Sequence, residues 1–134
     1  MWVEYTHNPR AITHLYKDVP PLLGVEVTAI RLEPRGPTIH CALDLPRFAD
    51  IRPPRWSKEF NTVAVEIDFS GIRNLRISDL VTIPILNFAI SKLESGLSVE
   101  ATGSGMSMSF HCDSIYIQTV TGYCNTEREP AASS

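Results

Sequence analysis

The sequence lacks the segments and motifs that identify several large classes of protein. No apolar run approaches the roughly 20 residues that a membrane-spanning helix needs. The first ten residues, MWVEYTHNPR, contain a glutamate and no apolar core of a secretory signal. There is no P-loop, no glycine-rich dinucleotide motif before a helix and no G-x-S-x-G nucleophile motif. We therefore expect a cytoplasmic protein that contacts no membrane and is not an enzyme.

Cysteine is scarce and its spacing is not that of a metal site. The three cysteines are Cys41, Cys112 and Cys124. An odd number without a CxxC spacing favours reduced thiols, with a Cys112–Cys124 disulfide as the alternative. The pairs His40–Cys41 and His111–Cys112 contain metal-ligand residue types, but neighbours on a strand face opposite sides of a sheet. We predict no metal and no cofactor, and a core cysteine beside a surface histidine in both pairs.

A strong charge of one sign is also missing. The chain of 134 residues has 12 Lys and Arg against 15 Asp and Glu, so the formal net charge is −3. No global basic field attracts nucleic acid, and a local basic cluster in residues 47–58 does not change that prediction. Residues 77–134 contain two basic and six acidic side chains. The second half is therefore the more anionic and suits a basic protein partner.

Alternating apolar residues are what the sequence has in abundance. In FNTVAVEIDF (60–69), Val63, Val65, Ile67 and Phe69 alternate with polar residues, which predicts a strand with one core face and one acidic face. Similar patterns predict seven more strands: Leu23–Glu33, Thr38–Leu45, Ile72–Ser78, Pro84–Leu93, Leu97–Thr102, Met106–Phe110 and Ser114–Val120. The segment Pro84–Leu93 fits a helix by periodicity as well, but its composition favours a strand.

Local signals add detail to several of these elements. The phase of the apolar residues slips near Ala29, which predicts a β-bulge. The turn PRGP (34–37) predicts a hairpin between the first two strands. The segment Pro46–Lys58 is predicted to cross one end of the sheet with Trp56 as its anchor. The short strand Ile72–Ser78 is predicted to return from the strand before it, with Leu75 and Ile77 facing inward.

The N-terminal region predicts a single short helix. Asn8 is suited to cap it, Pro9 fits the first helical position, and Ile12, Leu15 and Tyr16 form one apolar stripe. The predicted fold class is mainly β: an antiparallel, up-and-down curved sheet, sandwich or partly closed barrel of about eight strands with one short N-terminal helix. We expect a single β-rich domain over residues 1–124 and a flexible C-terminal tail over residues 125–134.

Three interpretations of the apolar and titratable residues compete with a purely structural one. Glu66 and Asp68 share one strand face about 6.6–7 Å apart, which suits paired catalytic carboxylates but is more typical of an exposed acidic strip. A barrel-like cavity for a small apolar ligand is the alternative function, lined by four residues: Phe88, Met106, Met108 and Phe110. A hydrolase that uses His40 or His111 with a carboxylate is a third hypothesis.

The order of several segments resembles a known family. The segments are Trp2, NPRAITHLY, VPPLLGVEV, IRLEPRGPTIHCALDLP, PPRW (53–56) and FNTVAVEIDFSGIRNLRIS. Over residues 1–79 this order resembles the immunity protein 50 family of bacterial polymorphic-toxin systems. The resemblance implies a non-catalytic protein that binds and neutralises a cognate toxin domain in the producing cell. It provides no set of toxin-contacting residues.

An anionic surface would meet a cationic toxin and accelerate association. We therefore predict the partner contacts at five acidic residues: Asp44, Glu66, Asp68, Glu100 and Asp113. The sequence leaves open whether the protein is a monomer or a homodimer, and which toxin it binds.

Overall fold

The structure, a computed structural model, describes residues 1–131 and confirms the predicted fold class. A four-residue 3-10 turn, Trp2–Tyr5, and a four-residue helix α1, Arg10–Thr13, precede the strands. The strands are β1 Val25–Glu33, β2 Thr38–Asp44, β3 Thr62–Ser70, β4 Arg73–Ser78, β5 Ile85–Lys92, β6 Leu97–Gly103, β7 Met106–Cys112 and β8 Ser114–Tyr123. They form one antiparallel sheet that is not closed into a barrel. Within residues 1–131, no helix has the length and apolar character to span a membrane.

The sheet folds back on itself at the joint between β1 and β5. The strand order is β4-β7-β6-β5-β1-β2-β3-β8, and β1 meets β5 through only two residue pairs, Val25 with Leu86 and Glu26 with Ile85. Phe69 on β3 and Phe110 on β7 have ring centroids 5.1 Å apart, although four strands separate them along the sheet. The two halves of the sheet therefore face each other, and the apolar core lies between them.

The predicted core strand and hairpins are confirmed. Val63, Val65, Ile67 and Phe69 on β3 are all fully buried, as their period of two requires. The register of β1 on β2 shifts between Val27 and Ala29, where the bulge was predicted. Residues 84–93 contain a strand and not a helix, and β6 and β7 form the predicted hairpin.

The predicted pairing of β4 with β3 is wrong, because β4 pairs with β7. The amides of Gly71 and Ile72 both donate to the carbonyl of Pro37, and Gly71 has a φ of +74°. This turn carries the chain from one half of the sheet to the other instead of back along β3. Since β4 is an edge strand, Ile77 remains 36% exposed and is not a buried inward residue as predicted.

The N-terminal helix is confirmed, but Asn8 does not cap it. Pro9 occupies the N-cap position, and no side chain caps the helix. The Asn8 side chain binds β8 instead: its Nδ2 donates to the Ile117 carbonyl at 2.7 Å and its Oδ1 accepts from the Ile117 amide at 2.9 Å. β8 is an edge strand, and the N-terminal segment runs along its free edge, where the His7 amide donates to the Ile115 carbonyl at 3.0 Å. The Asn8 side chain continues this contact and takes the place of a strand partner for Ile117. The predicted apolar stripe is buried: Ile12, Leu15 and Tyr16.

The segment between β2 and β3 closes one end of the core. Trp56 is 9% exposed and packs against Phe48 and Phe60, with ring centroids 5.8 and 6.1 Å apart. This confirms Trp56 as the anchor of the crossing segment. An added Cβ at Gly122 on β8 would lie 2.7 Å from the Trp56 ring. The indole therefore packs directly on the β8 backbone.

The residues that follow β8 contact both ends of the segment between β2 and β3. The Nδ2 of Asn61, a residue that is 7% exposed, lies within hydrogen-bond distance of the carbonyls of Asn125, Arg128 and Glu129. The Arg128 guanidinium donates to the Leu45 carbonyl at 2.7 Å. The flexibility of residues 125–134 stays a prediction, and positions 132–134 lie outside the described residues.

Candidate partner-binding surface

The connection from β4 to β5 exposes several large aliphatic side chains in one short stretch. Leu80 is 70% exposed, Ile83 is 59% exposed and Ile85, the first residue of β5, is 55% exposed. Val81 between them is half-buried against the core. Leu80, Val81 and Ile83 line one cleft, and we call these three residues the aliphatic surface, whereas Ile85 lines a separate cleft with Glu26 and Arg128. Isolated exposed aliphatic residues are normal, but a cluster of them is typical of an interaction site.

The backbone of this connection is strained at two positions. Asp79 has a φ of +59° and Ile83 has a φ of +47°. Aspartate tolerates the left-handed region, whereas a β-branched residue there is an outlier because its Cβ crowds the following carbonyl. Such strain accumulates at functional sites, where another requirement outweighs its cost of about 1–3 kcal/mol. Ile83 therefore combines a strained backbone with an exposed aliphatic side chain.

An apolar cleft of about 190 Å³ separates the aliphatic surface from β1. Its lining comes from residues 27–30 of β1 and from Leu80, Val81, Ile83 and Pro84. The cleft begins where the Val27 amide donates to the Pro84 carbonyl at 2.9 Å, the last backbone bond between β1 and the β5 side. Beyond that bond, the connection and β1 diverge. The cleft therefore provides a recess beside the exposed aliphatic side chains.

Three of the five predicted contact residues share the outer face of the β2–β3 half. Glu66 accepts a hydrogen bond from Thr119 at 2.7 Å. Asp68 accepts from Gln118 and also contacts His40, its direct cross-strand neighbour on β2. Glu66 and Asp68 are half-buried and engaged within the sheet, so a partner would have to share or displace these bonds.

The third residue on that face, Asp44, is only 2% exposed. The Tyr123 hydroxyl donates a hydrogen bond to its carboxylate. The remaining two predicted residues lie elsewhere: Glu100 is exposed on β6, and Asp113 at the junction of β7 and β8 bonds to Arg73 at 2.6 Å. The five residues therefore do not form one patch, and their role in contacts stays a prediction.

The two cysteines that follow histidines are core residues, as predicted. Cys41 and Cys112 are fully buried, and burial raises the pKa of the Cys41 thiol to about 12 and that of Cys112 to about 11. All three cysteines are free thiols. Among residues 1–131 no group of three or more His, Cys, Asp or Glu side chains is arranged to hold a metal ion.

Sequence reasoning did not find the contact between His40 and Asp68. The Nδ1 of His40 lies against the Oδ1 of Asp68, with the two side chains 19% and 14% exposed. The pairing depends on the register of β2 on β3, and a connection of 17 residues separates these strands. Only a hairpin with a short turn would have indicated that register.

The residues proposed for an apolar cavity are packed in the core. Met106, Met108 and Phe110 are at most 2% exposed, and Phe88 is 7% exposed. The Phe110 ring packs edge-on against Phe69, at the contact between the two halves of the sheet. Because the four side chains fill the core and the sheet is not closed into a barrel, the predicted lining of a ligand cavity is wrong.

Comparison with known proteins assigns the chain to a family. The family model described as "Immunity protein 50" matches residues 8–123, which is most of the chain. The chain belongs to this family. The resemblance noted in residues 1–79 is thereby confirmed, and the match extends through β8. No curated protein and no solved structure matches the chain. Membership supports an immunity-protein role, implies a toxin partner in general and suggests a non-enzymatic function.

Proposed function

We propose that this immunity protein neutralises a cognate toxin domain by binding it through the aliphatic surface, without catalytic turnover. The observation that carries the proposal is the exposure of Leu80 and Ile83 on one short connection of a protein whose family implies a toxin partner. The protein would act in the cytoplasm of the producing cell, where the toxin domain would otherwise act.

The size of the aliphatic surface is compatible with the anchor of a protein interface. Full burial of one leucine or isoleucine contributes about 1.5–3 kcal/mol. Because Leu80 and Ile83 are 70% and 59% exposed, covering both would contribute about 2–4 kcal/mol, which offsets only part of the roughly 4–15 kcal/mol that association costs. The aliphatic surface would therefore serve as a central anchor, and surrounding polar contacts would supply the remaining affinity.

The charge distribution supports a basic partner. From Ile77 onward the chain has six acidic and two basic side chains, and the exposed Asp79 directly precedes Leu80. A net negative charge on the immunity protein would increase the rate at which a cationic domain associates, with an effect that declines as salt is added. We propose that the toxin domain presents basic side chains around an apolar centre.

Co-expression tests the proposal directly. The probe is the toxin domain encoded beside this gene in the host genome, produced with and without the immunity protein. We expect the immunity protein to restore growth and to purify with the toxin domain as a complex. A titration of toxin activity should end at equimolar immunity protein, because binding without turnover is stoichiometric. The absence of both a complex and protection would contradict the proposal, and full protection far below equimolar amounts would indicate catalysis.

A further inference from the structure

One edge of β1 remains unpaired over the half of the strand that follows the bulge. β1 pairs with β2 from Glu26 to Glu33, but it pairs with β5 only at Val25 and Glu26. Beyond the Val27 bond to Pro84, none of the backbone bonds described for residues 1–131 joins β1 to the β4–β5 connection. An open strand edge of this kind is a template for an added strand.

The hydrogen-bonding direction identifies which residues face the open edge. On β2, the Leu45 amide donates to Val63 of β3, so Leu45, Leu43, Cys41 and Ile39 point their backbone groups toward β3. The alternate residues of β2, including His40, therefore point toward β1. The partner of His40 on β1 is Arg31. Since direction alternates along a strand, the residues on either side of Arg31 must point away from β2.

These two residues are Ile30 and Leu32. Their N–H and C=O groups face the open edge, as the Val27 amide does earlier in the strand. Their side chains pair with Cys41 and Ile39, so they lie on the apolar face of the sheet. Leu32 is nevertheless 50% exposed and Ile30 is half-buried, because no strand covers this part of β1. Free backbone groups and uncovered aliphatic side chains thus occur together.

The opposite face of the same segment carries one charge of each sign. The side chains of Arg31 and Glu33 are 62% and 50% exposed and form an ion pair at 2.9 Å. A strand added at this edge would place side chains beside both of them. Cross-strand pairs of opposite charge are favoured and like pairs are disfavoured. The complementary strand therefore has an acidic residue near Arg31, a basic residue near Glu33, and apolar residues near Ile30 and Leu32.

We propose that the toxin domain contributes an extended strand of this alternating character, which adds to β1 at Ile30–Glu33 beside the aliphatic surface. The inference rests on the proposed function and specifies how the partner is held. Backbone bonds to the open edge would provide affinity, while the cleft and the aliphatic surface receive the apolar side chains. Leu80 and Ile83 line the same cleft as Ile30, so strand addition and aliphatic contact belong to one continuous interface.

A proline substitution separates backbone pairing from side-chain contact. Leu32→Pro removes the amide that faces the open edge, whereas Leu32→Ala keeps the amide and removes most of the side chain. An edge-facing proline is compatible with an edge strand. With the toxin domain encoded beside this gene as the probe, we expect Leu32→Pro to weaken binding roughly tenfold or more beyond Leu32→Ala. Equal affinity of the two variants would overturn strand addition and leave toxin binding intact.

Hydrogen exchange of the unmodified chain provides a readout that does not depend on folding of the proline variant. In the free protein the amides of Ile30 and Leu32 should exchange quickly, while the amide of Arg31, which bonds to β2, should be protected. Addition of the toxin domain should protect Ile30 and Leu32. Unchanged exchange in a formed complex would overturn the inference alone, and absence of a complex would overturn the proposed function with it. Protection that grows with protein concentration without toxin would identify a second copy of this chain as the occupant and also overturn the inference.

Discussion

The Tyr123 hydroxyl donates a hydrogen bond to the Asp44 carboxylate across the intervening strand β3. Asp44 on β2 lies opposite Ala64 on β3, whose small side chain leaves room for the tyrosine ring from β8. Burial, together with the hydrogen bond to Asp44, raises the pKa of the Tyr123 hydroxyl to about 12. This bond therefore joins β8 to β2, and Asp44, the residue that accepts it, is only 2% exposed.

Tyr123→Phe should destabilise the fold, because it leaves a buried carboxylate without this donor. We expect the free energy of unfolding to fall by about 1–3 kcal/mol. Urea denaturation at neutral pH measures the effect. Tyr116→Phe is the matched control on the same strand; since Tyr116 is 45% exposed, its change should stay within about 0.5 kcal/mol. Equal effects of the two substitutions would show that Asp44 does not need the Tyr123 hydroxyl.

Asn61→Ala should release the chain that follows β8. The Asn61 side chain accepts from the Asn125 amide at 2.8 Å and donates toward three carbonyls in residues 125–129. Without it, the peptide bond after Arg128 should become accessible, so trypsin should cleave there several times faster than in the unmodified protein. Ser91→Ala, at an exposed position on β5, should leave the cleavage rate unchanged. Rapid cleavage of the unmodified chain would instead support a flexible tail from residue 125.

Two glycines of the β6–β7 hairpin should respond differently to alanine. A Cβ at Gly103 would lie 2.2 Å from the Ile85 carbonyl oxygen, whereas Gly105 has nothing within 4 Å. Both have positive φ, at +150° and +80°, so both substitutions introduce backbone strain. We expect Gly105→Ala to cost about 1 kcal/mol and Gly103→Ala about 2 kcal/mol or more, because its contact is with backbone. Thermal or urea unfolding of the pair measures the difference, and equal losses would contradict the close approach to β5.

The aliphatic surface should contribute to binding and not to stability. We expect Leu80→Asp to change the free energy of unfolding by less than about 0.5 kcal/mol and to weaken binding of the neighbouring toxin domain roughly tenfold to a hundredfold. Ile51→Asp is the control, at a residue of similar apolar character that is 52% exposed between β2 and β3. If both aspartate variants bind like the unmodified protein, the interface lies elsewhere on the molecule.

Ile83→Gly should distinguish strain retained for function from strain required by the fold. Glycine adopts a φ of +47° without the crowding that isoleucine suffers there. Relief of about 1–2 kcal/mol of strain is opposed by the greater freedom of glycine in the unfolded chain. We expect unchanged or slightly higher stability by urea denaturation, together with weaker toxin binding. A clear loss of stability would indicate that the Ile83 side chain supports the fold.

Sequence reasoning succeeded where local chemistry determines the structure. The period of two in Val63–Phe69 and the turn residues of the hairpins predict strands and local pairing, because both depend on neighbours in the chain. It was wrong for Asn8, because an asparagine side chain can either cap a helix or bind the backbone of a distant strand, and the sequence does not show which it does. It also missed the aliphatic surface, because leucine and isoleucine are residue types that usually lie in a core. Only the tertiary structure shows that their side chains are exposed.

The three thiols should differ in reactivity, and the buried ones should make the fold sensitive to alkaline pH. Near pH 8 only the exposed Cys124 should be alkylated in the native protein, and all three cysteines should react in urea, which mass spectrometry can count.

Burial raises the pKa of Cys41 to about 12, above the value near 8.5–9 of an unfolded thiol. Between those values the folded state binds more protons than the unfolded state.

Stability should therefore be fully retained below about pH 8.5 and should decline by about 1.4 kcal/mol per pH unit for each such thiol as the pH rises toward the folded pKa. Unfolding in urea at pH 8, 9 and 10 measures this slope. Cys41→Ala should reduce the slope by about half, because the buried Cys112 thiol still contributes, and this change in slope is separate from any loss of stability common to every pH. An identical slope in the unmodified protein and Cys41→Ala would mean that the Cys41 thiol ionises as readily in the folded as in the unfolded chain.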